Sequence, residues 1–284
     1  MSWGGILAAF GVGNYLKAAS NSSSGQKTNV KQIGFNHIRT METKTATTVL
    51  HKADTRGKAN HGWLNSHHSF SFANYYNPDR MNFGVLRVLN DDVVSAGMGF
   101  GTHPHNNMEI ISIPLEGDLE HKDSMGTSAI IKQGDVQVMS AGTGIMHSEY
   151  NANKDKEVKF LQIWVMPNKQ GVTPRYDQIT LDLDDRKNTL QQILSPNKDD
   201  AGIWIHQNAW FNMTSLEQGK SLYYKLNDAK NNGVYAFVID GNVTINGQQL
   251  EKRDGFGLWD IENLDITADS DTELLLMEVP MNIA

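Results

Sequence analysis

Cysteine is absent from the 284-residue chain, and this absence limits the chemistry available to the protein. Disulfide bonds and thiolate metal ligands are excluded, so any metal site must use nitrogen and oxygen donors. A chain without disulfide bonds is compatible with a reducing compartment, and we expect a cytoplasmic protein.

Positive charge is also scarce. The chain has 25 Lys and Arg residues against 32 Asp and Glu residues, and its formal net charge is −7. It contains no basic block and no stretch in which basic and aromatic residues alternate. We therefore expect no direct binding of nucleic acid through a charged face.

The beginning of the chain lacks the features of a membrane segment. Residues 3–16 are apolar but too short to span a bilayer, and the first lysine, Lys17, lies at the far end of this stretch, unlike in a signal peptide. The serine-rich residues 20–25 have the composition of a flexible linker. We interpret residues 1–44 as a weakly ordered N-terminal tail and expect no membrane association.

Helical patterns are few after residue 44. Short runs rich in β-forming residues alternate with Gly-, Asn- and Asp-containing turns, a pattern typical of a β-sandwich or β-barrel. Only Leu190–Leu194 indicates part of a short helix. The strands predicted with most apolar character are residues 84–89, 109–115, 129–132, 135–139 and 158–165.

An internal repeat indicates two copies of one structural unit. The segments around Gly117 and Gly134, followed by residues 160–167, have counterparts around Gly241 and Gly255, followed by residues 274–280. Chance similarity between β-rich segments is the alternative explanation. The repeat predicts an all-β protein of two stacked barrels, at residues 45–180 and 181–284, with few short helices.

Two short histidine motifs lie between Gly97 and Asn151. They are His103-Pro104-His105 and His147-Ser148-Glu149. Because residues two apart in a strand share a face, each motif can direct two side chains toward one point. Three imidazoles and one carboxylate suit a divalent first-row metal. A single His-x-His motif would more often be an ordinary strand segment, and the second motif makes a metal site the better interpretation.

The second copy of the repeat lacks these ligands. The positions that correspond to the first-copy histidines are Asn227, Ala229 and Ala268, and His206 is the only histidine after residue 150. We therefore predict that the barrel at residues 181–284 binds no metal and has a structural role.

The motifs identify a family. The chain resembles the cupin superfamily and, within it, the pirins, and is most similar to bacterial pirin-like quercetin 2,3-dioxygenases. The resemblance extends from about Val49 to Pro280. It is carried by Gly97-x5-His103-x-His105-x3-Glu109, residues 134–151 with their Ser140–Ile145 and His147–Glu149 segments, Arg56-Gly57, Asn60–Trp63 and Ser69–Tyr76.

The resemblance implies two cupin barrels and offers two candidates for a fourth metal ligand. In cupins generally the glutamate of the first motif, here Glu109, has that role, whereas in pirins it is the glutamate two residues after the third histidine, here Glu149. If residues 106–107 form a tight turn, Glu109 pairs opposite Pro104 and points away from the histidines. We therefore favour His103, His105, His147 and Glu149 as ligands, with Glu109 as a group that supports a ligand.

The resemblance also implies an activity. The expected metal is one Fe²⁺, with Ni²⁺, Cu²⁺, Mn²⁺ or Zn²⁺ as alternatives, and the expected reaction is oxygenolytic opening of a flavonol ring with release of carbon monoxide. Flavonol-like molecules and O₂ are the expected substrates, and Glu149 is the expected catalytic base for the flavonol 3-hydroxyl group. Met98, Phe100 and Phe83 are candidates for the substrate wall, and each fits an ordinary core position equally well.

Two other functions remain open. One is a pirin-type regulatory protein in which the metal senses redox state and a surface binds a transcription factor or metabolic enzyme. The other is a storage or carbohydrate-binding cupin. We expect a monomer in each case. Five further histidines between residues 45 and 150 are interpreted as polar core or surface residues, although His61 lies in a family-like segment and is a candidate to approach the pocket. They are His51, His61, His67, His68 and His121.

Overall fold

The structure is a computed structural model that describes residues 46–283, so the predicted tail at residues 1–44 lies outside the described residues. The described chain is almost entirely β-structure, with two short 3-10 helices at Ala53–Thr55 and Leu183–Arg186. Among these residues there is no helix long and apolar enough to cross a bilayer. The all-β prediction is therefore confirmed.

Twenty-two strands follow one another along the described chain. The first twelve are β1 (Thr47–His51), β2 (Gly57–Asn60), β3 (Leu64–His68), β4 (Leu86–Val94), β5 (Gly99–His105), β6 (Glu109–Glu116), β7 (Leu119–Asp123), β8 (Ser128–Ile131), β9 (Asp135–Ser140), β10 (Ile145–Asn151), β11 (Val158–Val165) and β12 (Arg175–Thr180). The others are β13 (Gln191–Ser195), β14 (Ile203–Trp204), β15 (Trp210–Leu216), β16 (Ser221–Lys225), β17 (Asn232–Asp240), β18 (Val243–Ile245), β19 (Gln248–Leu250), β20 (Gly255–Trp259), β21 (Asn263–Ala268) and β22 (Thr272–Pro280).

The strands form two pairs of sheets with the same internal order. The first barrel combines the seven-stranded sheet β12-β9-β6-β11-β4-β3-β2 with the four-stranded sheet β5-β10-β7-β8. The second barrel combines β1-β20-β17-β22-β15-β13-β14 with β16-β21-β18-β19. Strands β4 to β11 occupy the same places in the first barrel as β15 to β22 in the second. The predicted repeat is therefore a repeat of topology, and the fold is two cupin barrels.

The two seven-stranded sheets pack against each other through one continuous apolar core. It includes Ile111 and Ile163 of the first barrel with Tyr235 and Phe237 of the second. On β17 the intervening residues, such as Ala236, belong instead to the core inside the second barrel. Alternate side chains of one strand thus enter two different cores, which explains why its sequence is apolar without a break.

The first described strand crosses from one barrel to the other. β1 lies within the segment that the repeat assigned to the first barrel, yet it pairs with β20 of the second. Its place at the edge of that sheet corresponds to the place of β12 in the first barrel. The repeat could not indicate this exchange because β1 and β12 belong to neither copy of the repeated segments.

Two local predictions were wrong. Leu190–Leu194 is not helical, because residues from Gln191 onward form β13, in which Ile193 and Leu194 are buried in the core between the barrels. A short apolar run does not distinguish a helix from a buried strand by periodicity. Residues 106–107 form no hairpin turn either, because β5 and β6 lie in different sheets and the chain crosses the barrel between them.

Candidate metal centre

Strands β5 and β10 bring three histidine side chains together. The strands are antiparallel neighbours, and His147 lies directly opposite His103, with His105 two residues further along β5. The candidate donor atoms of the three imidazoles all lie within 4.8 Å of one another. Ring centroids are 4.4 Å apart for His103 and His147, 4.8 Å for His105 and His147, and 4.9 Å for His103 and His105. Across residues 46–283 this is the one such group of three or more.

The hydrogen bonds of these histidines leave nitrogen atoms free for a metal. The Nδ1 atom of His103 lies 2.8 Å from the carbonyl oxygen of Gly101, which can only accept, so Nδ1 carries the proton and Nε2 the lone pair. Both ring nitrogens of His147 are buried and have no hydrogen-bond partner within the described chain. A buried polar atom left without a partner costs roughly 1–3 kcal/mol. A metal ion would satisfy one of these two nitrogens, so the residues present fit a divalent ion.

The environment also keeps the imidazoles of His105 and His147 neutral, which is the form that binds a metal. Burial, followed by the charge of neighbouring His103, lowers the pKa of His105 to about 4. Burial lowers the pKa of His147 still further, and the adjacent histidines add to the shift. Desolvation and repulsion between positive charges both disfavour the protonated ring.

Glu149 lies on the same buried face of β10 as His147, as strand alternation predicts, and Ser148 between them is less buried. Its Oε1 atom accepts a hydrogen bond from Ser112 Oγ at 2.8 Å and its Oε2 atom accepts one from Gln162 Nε2 at 2.6 Å. Burial raises the pKa of Glu149 to about 7. The carboxylate does not belong to the group of mutually close donors, so its role as fourth ligand stays a prediction.

Glu109 lies on the opposite side of the seven-stranded sheet from Glu149. It shares a face of β6 with Ile111, which belongs to the core between the barrels, whereas Ser112 projects to the other side and contacts Glu149. Its Oε2 atom accepts a hydrogen bond from Ser140 Oγ at 2.7 Å. Glu109 thus points away from the histidines as predicted, although the reason is the crossing between sheets and not a hairpin.

Glu109 provides a prediction about stability. Burial raises the pKa of Glu109 to about 7, although hydrogen bonding by Ser140 opposes the shift. A carboxyl whose pKa is higher in the folded state than in the unfolded state makes its full contribution to stability below the unfolded-state pKa. This contribution is lost as the pH rises through the folded-state pKa of about 7. We expect Glu109→Gln to match the wild type in urea unfolding at pH 4.5 and to be more stable by about 1–3 kcal/mol at pH 8. Equal or lower stability of the variant at pH 8 would contradict this.

Comparison with known proteins identifies the family. Residues 49–165 match the family model described as Pirin, and residues 192–279 match the model of the quercetinase C-terminal cupin domain. A quercetin 2,3-dioxygenase of Escherichia coli strain K12 is 47% identical over 231 residues, which are 81% of this chain and 98% of that protein. The chain belongs to the pirin family.

Other members of the pirin family agree with this assignment. A crystal structure of the bacterial pirin YhhW from Escherichia coli in complex with nickel(II) matches with a TM-score of 0.78 at 45% identity, covering 84% of this chain and 100% of that chain. A pirin-like protein from Caulobacter vibrioides is 39% identical over 79% of this chain and 96% of that protein.

The pirin-family barrel contains a cavity beside the three histidines. Its volume is about 290 Å³, and His103 and Glu149 form part of its lining. Aromatic rings supply much of the rest, with Trp63 packed edge-on against Phe100 at 5.4 Å. Its size is close to the lower end of small-molecule pockets, and its apolar lining is typical of them.

The structure separates the three predicted wall residues. Phe100 lines the cavity. Met98 is 43% exposed and does not belong to the lining, whereas Phe83 lies in the core between the barrels, 5.4 Å from the ring of Tyr235. Sequence position near the first motif was therefore a poor guide, because only Phe100 lies on β5, whereas Met98 is in the turn before β5 and Phe83 precedes β4.

His61, the candidate to approach the pocket, lines the cavity, and so does His68, which was interpreted only as a core or surface residue. Two others have structural partners. His51 Nδ1 lies 2.8 Å from the hydroxyl of Tyr235, and His121 Nε2 lies 3.2 Å from Asp123 Oδ2. The partly buried His67 is on the other face of β3 from His68, opposite Asp91.

The cavity residues that were not identified from the sequence include Asn90, Gln162 and Trp164. Gln162 and Trp164 lie in a run that was interpreted simply as an apolar strand. The signal that could have revealed Gln162 is the single amide in an otherwise apolar stretch, since a buried polar side chain requires a partner.

Proposed function

We propose that this protein is a metal-dependent dioxygenase that opens a flavonol ring with O₂ and releases carbon monoxide. The observation that carries the proposal is the convergence of three histidines, with unpartnered ring nitrogens on His147 within the described chain, beside a cavity walled by aromatic rings. The quercetin 2,3-dioxygenase named among its relatives supports the choice of substrate.

The metal ligands in this proposal are His103, His105, His147 and Glu149. Nitrogen and oxygen donors of this kind suit Fe²⁺ and also Ni²⁺, Cu²⁺, Mn²⁺ or Zn²⁺. The nickel(II) complex of the related pirin supports a divalent ion, and we propose Fe²⁺ as the native one. When bound, such an ion supplies Lewis-acid chemistry that lowers the pKa of a ligand hydroxyl group.

Glu149 is the residue that we assign to proton transfer. Burial places its pKa at about 7, which lets the carboxyl gain and lose a proton near neutral pH. Ser112 and Gln162 hold its two oxygens in a fixed orientation. We therefore assign the Glu149 carboxylate as the acceptor of the proton of the flavonol 3-hydroxyl group.

The aromatic lining has a separate role in this function. The Trp63 and Phe100 pair and the Phe72 and Trp164 pair, with ring centroids 5.4 Å apart in each, present flat apolar surface to a planar ligand. Aromatic side chains bind planar rings through stacked or edge-on contacts and displace water from the site. Exclusion of water favours ring opening by O₂ over side reactions.

The direct test uses purified protein loaded separately with Fe²⁺, Ni²⁺, Cu²⁺ or Mn²⁺ and supplied with quercetin and O₂. We expect loss of the flavonol absorbance together with release of one carbon monoxide per molecule consumed, from at least one metal form. Absence of carbon monoxide from every form would contradict a dioxygenase function.

One observation favours the regulatory function as a second candidate. The sheet that carries the histidines and its connecting segments expose several large apolar side chains to solvent, which is a feature of interaction surfaces. They are Met98, Met125, Ile130, Met146 and Tyr150. If the metal controls this surface, hydrogen exchange in β5 and β10 should differ between the Fe²⁺ and Fe³⁺ proteins. Identical exchange in both forms would contradict the regulatory function.

A further inference from the structure

A row of polar side chains crosses the seven-stranded sheet of the first barrel. His68 lies opposite Asn90, Asn90 opposite Gln162, Gln162 opposite Ser112, and Ser112 opposite Gln137. Residues directly opposite each other on neighbouring strands project to the same side of a sheet. Since Ser112 and Gln162 contact Glu149, that side is the barrel interior. We refer to these five residues as the polar row.

The polar row contains an unusual concentration of unsatisfied atoms. His68 Nδ1, Asn90 Oδ1, Gln162 Oε1 and both amide atoms of Gln137 are buried without a hydrogen-bond partner in the described part of the chain. Buried polar atoms in folded proteins are nearly all paired. These atoms therefore require water or a ligand as partner.

The second barrel shows which side chains the corresponding positions can carry. Its corresponding row, read across β15, β22, β17 and β20, consists of Asn212, Leu276, Ala236 and Phe256. The last three belong to the apolar core of that barrel. The fold thus accepts apolar side chains at the positions of Gln162, Ser112 and Gln137, whereas the counterpart of Asn90 is also an asparagine. The polar side chains at those three positions are therefore not a requirement of the topology.

Part of the polar row reaches the cavity. His68, Asn90 and Gln162 line it, whereas Ser112 and Gln137 do not belong to its lining. The unpartnered atoms of Asn90 and Gln162 are amide oxygens, which accept hydrogen bonds and cannot donate them. Their natural partners are hydroxyl groups, and two such acceptors on facing residues, with Cβ atoms roughly 4.5–5.5 Å apart, suit two adjacent hydroxyls.

We propose that His68, Asn90 and Gln162 form a hydroxyl-binding subsite that selects flavonol-like ligands carrying adjacent hydroxyl groups on the phenyl ring. The proposal rests on the proposed dioxygenase function and specifies its substrate class. Asn90 allows the subsite to be tested separately from the dioxygenase function, because it lines the cavity, whereas the hydrogen bonds to Glu149 come from Ser112 and Gln162. Its role is to discriminate between substrates.

The test compares two flavonols, quercetin and the analogue that lacks both hydroxyls on the phenyl ring. We expect wild-type protein to show a kcat/KM at least about tenfold higher for quercetin, and Asn90→Leu to lose most of that ratio, which is the effect of about one hydrogen bond. The ratio does not depend on the fraction of folded enzyme. The ratio of the two flavonols' affinities under anaerobic conditions, measured by quenching of tryptophan fluorescence, should show the same loss.

The matched control is Gln137→Leu, which removes equally buried and unpartnered atoms of the polar row outside the cavity. We expect this variant to keep the wild-type ratio. The melting temperature of Asn90→Leu should not fall, because the substitution removes an unsatisfied acceptor. If the leucine variant does not fold, Asn90→Ala removes the same acceptor with a smaller side chain.

The outcomes distinguish this inference from the function on which it rests. If both flavonols are cleaved with equal kcat/KM by the wild type, or if Gln137→Leu changes the ratio as much as Asn90→Leu, the subsite is wrong and the dioxygenase function stands. If neither flavonol is bound or cleaved, the proposed function itself is overturned. A ratio lost specifically in Asn90→Leu supports the subsite.

Discussion

Replacing His147 with alanine is expected to remove most of the bound divalent metal and, with it, flavonol turnover. His147 is the most enclosed of the three histidines, and both of its ring nitrogens lack a protein partner among residues 46–283. Loss of a residue that only supports a ligand costs about 10–100-fold in metal affinity, so loss of a ligand itself should cost more than about a hundredfold. Metal content after dialysis against a weak chelator measures the effect.

His67→Ala is the matched control for this experiment. His67 is also a partly buried histidine of the first barrel, but it projects from the other face of β3 toward Asp91, away from the barrel interior. We expect this variant to keep its full metal content. Full metal content in His147→Ala, or equal loss in both variants, would contradict the assignment of the three-histidine group as the metal site.

Local periodicity was sufficient to predict the part of the site that lies within single strands. His103 and His105 share a face of β5, and His147 shares a face of β10 with Glu149, because alternation depends only on the strand itself. The repeat predicted the second barrel because a topology that appears twice leaves the same turns and apolar runs in the sequence. Both features are encoded at short range.

Features that depend on which strands become neighbours were not predictable in this way. The segment at residues 106–107 has turn residues, and only the tertiary fold decides that the chain crosses to another sheet there. Similarly, β13 is a strand because neighbours on both sides bury Ile193 and Leu194, although the isolated run also fits a helix. Tertiary contacts override local preference at both places.

The polar row illustrates the same limit for function. His68, Asn90, Gln162 and Gln137 come from four strands that are widely separated in the sequence. Gln137 and Gln162 are single polar residues between apolar neighbours, whereas His68 and Asn90 lie in polar stretches, and none forms a motif by itself. Their alignment across the sheet follows from strand register, which the sequence did not provide. The cavity wall opposite the metal motif therefore appears only in the folded structure.

The second large effect is expected from Glu149→Gln, which should keep part of the bound metal but reduce flavonol turnover by about a hundredfold or more. The amide retains an oxygen donor and the size of the side chain, but it cannot accept a proton at neutral pH. Its NH₂ group would face either Ser112 or Gln162, and the Ser112 hydroxyl can rotate or the Gln162 amide can flip to accept from it. The fold should therefore be preserved. Carbon monoxide release measured at equal metal occupancy isolates the loss of the base.

Glu109→Gln is the control for this last comparison, because Glu109 is an equally enclosed carboxyl whose pKa is also raised to about 7. It projects from the other side of the sheet and contacts Ser140 instead of the residues around the histidines. We expect its turnover per bound metal to remain within about threefold of the wild type. The two carboxyls have similar burial and a similarly raised pKa, but only Glu149 lies on the side of the sheet that faces the histidines. Full turnover in Glu149→Gln would remove Glu149 from proton transfer and leave the three histidines as the whole of the candidate centre.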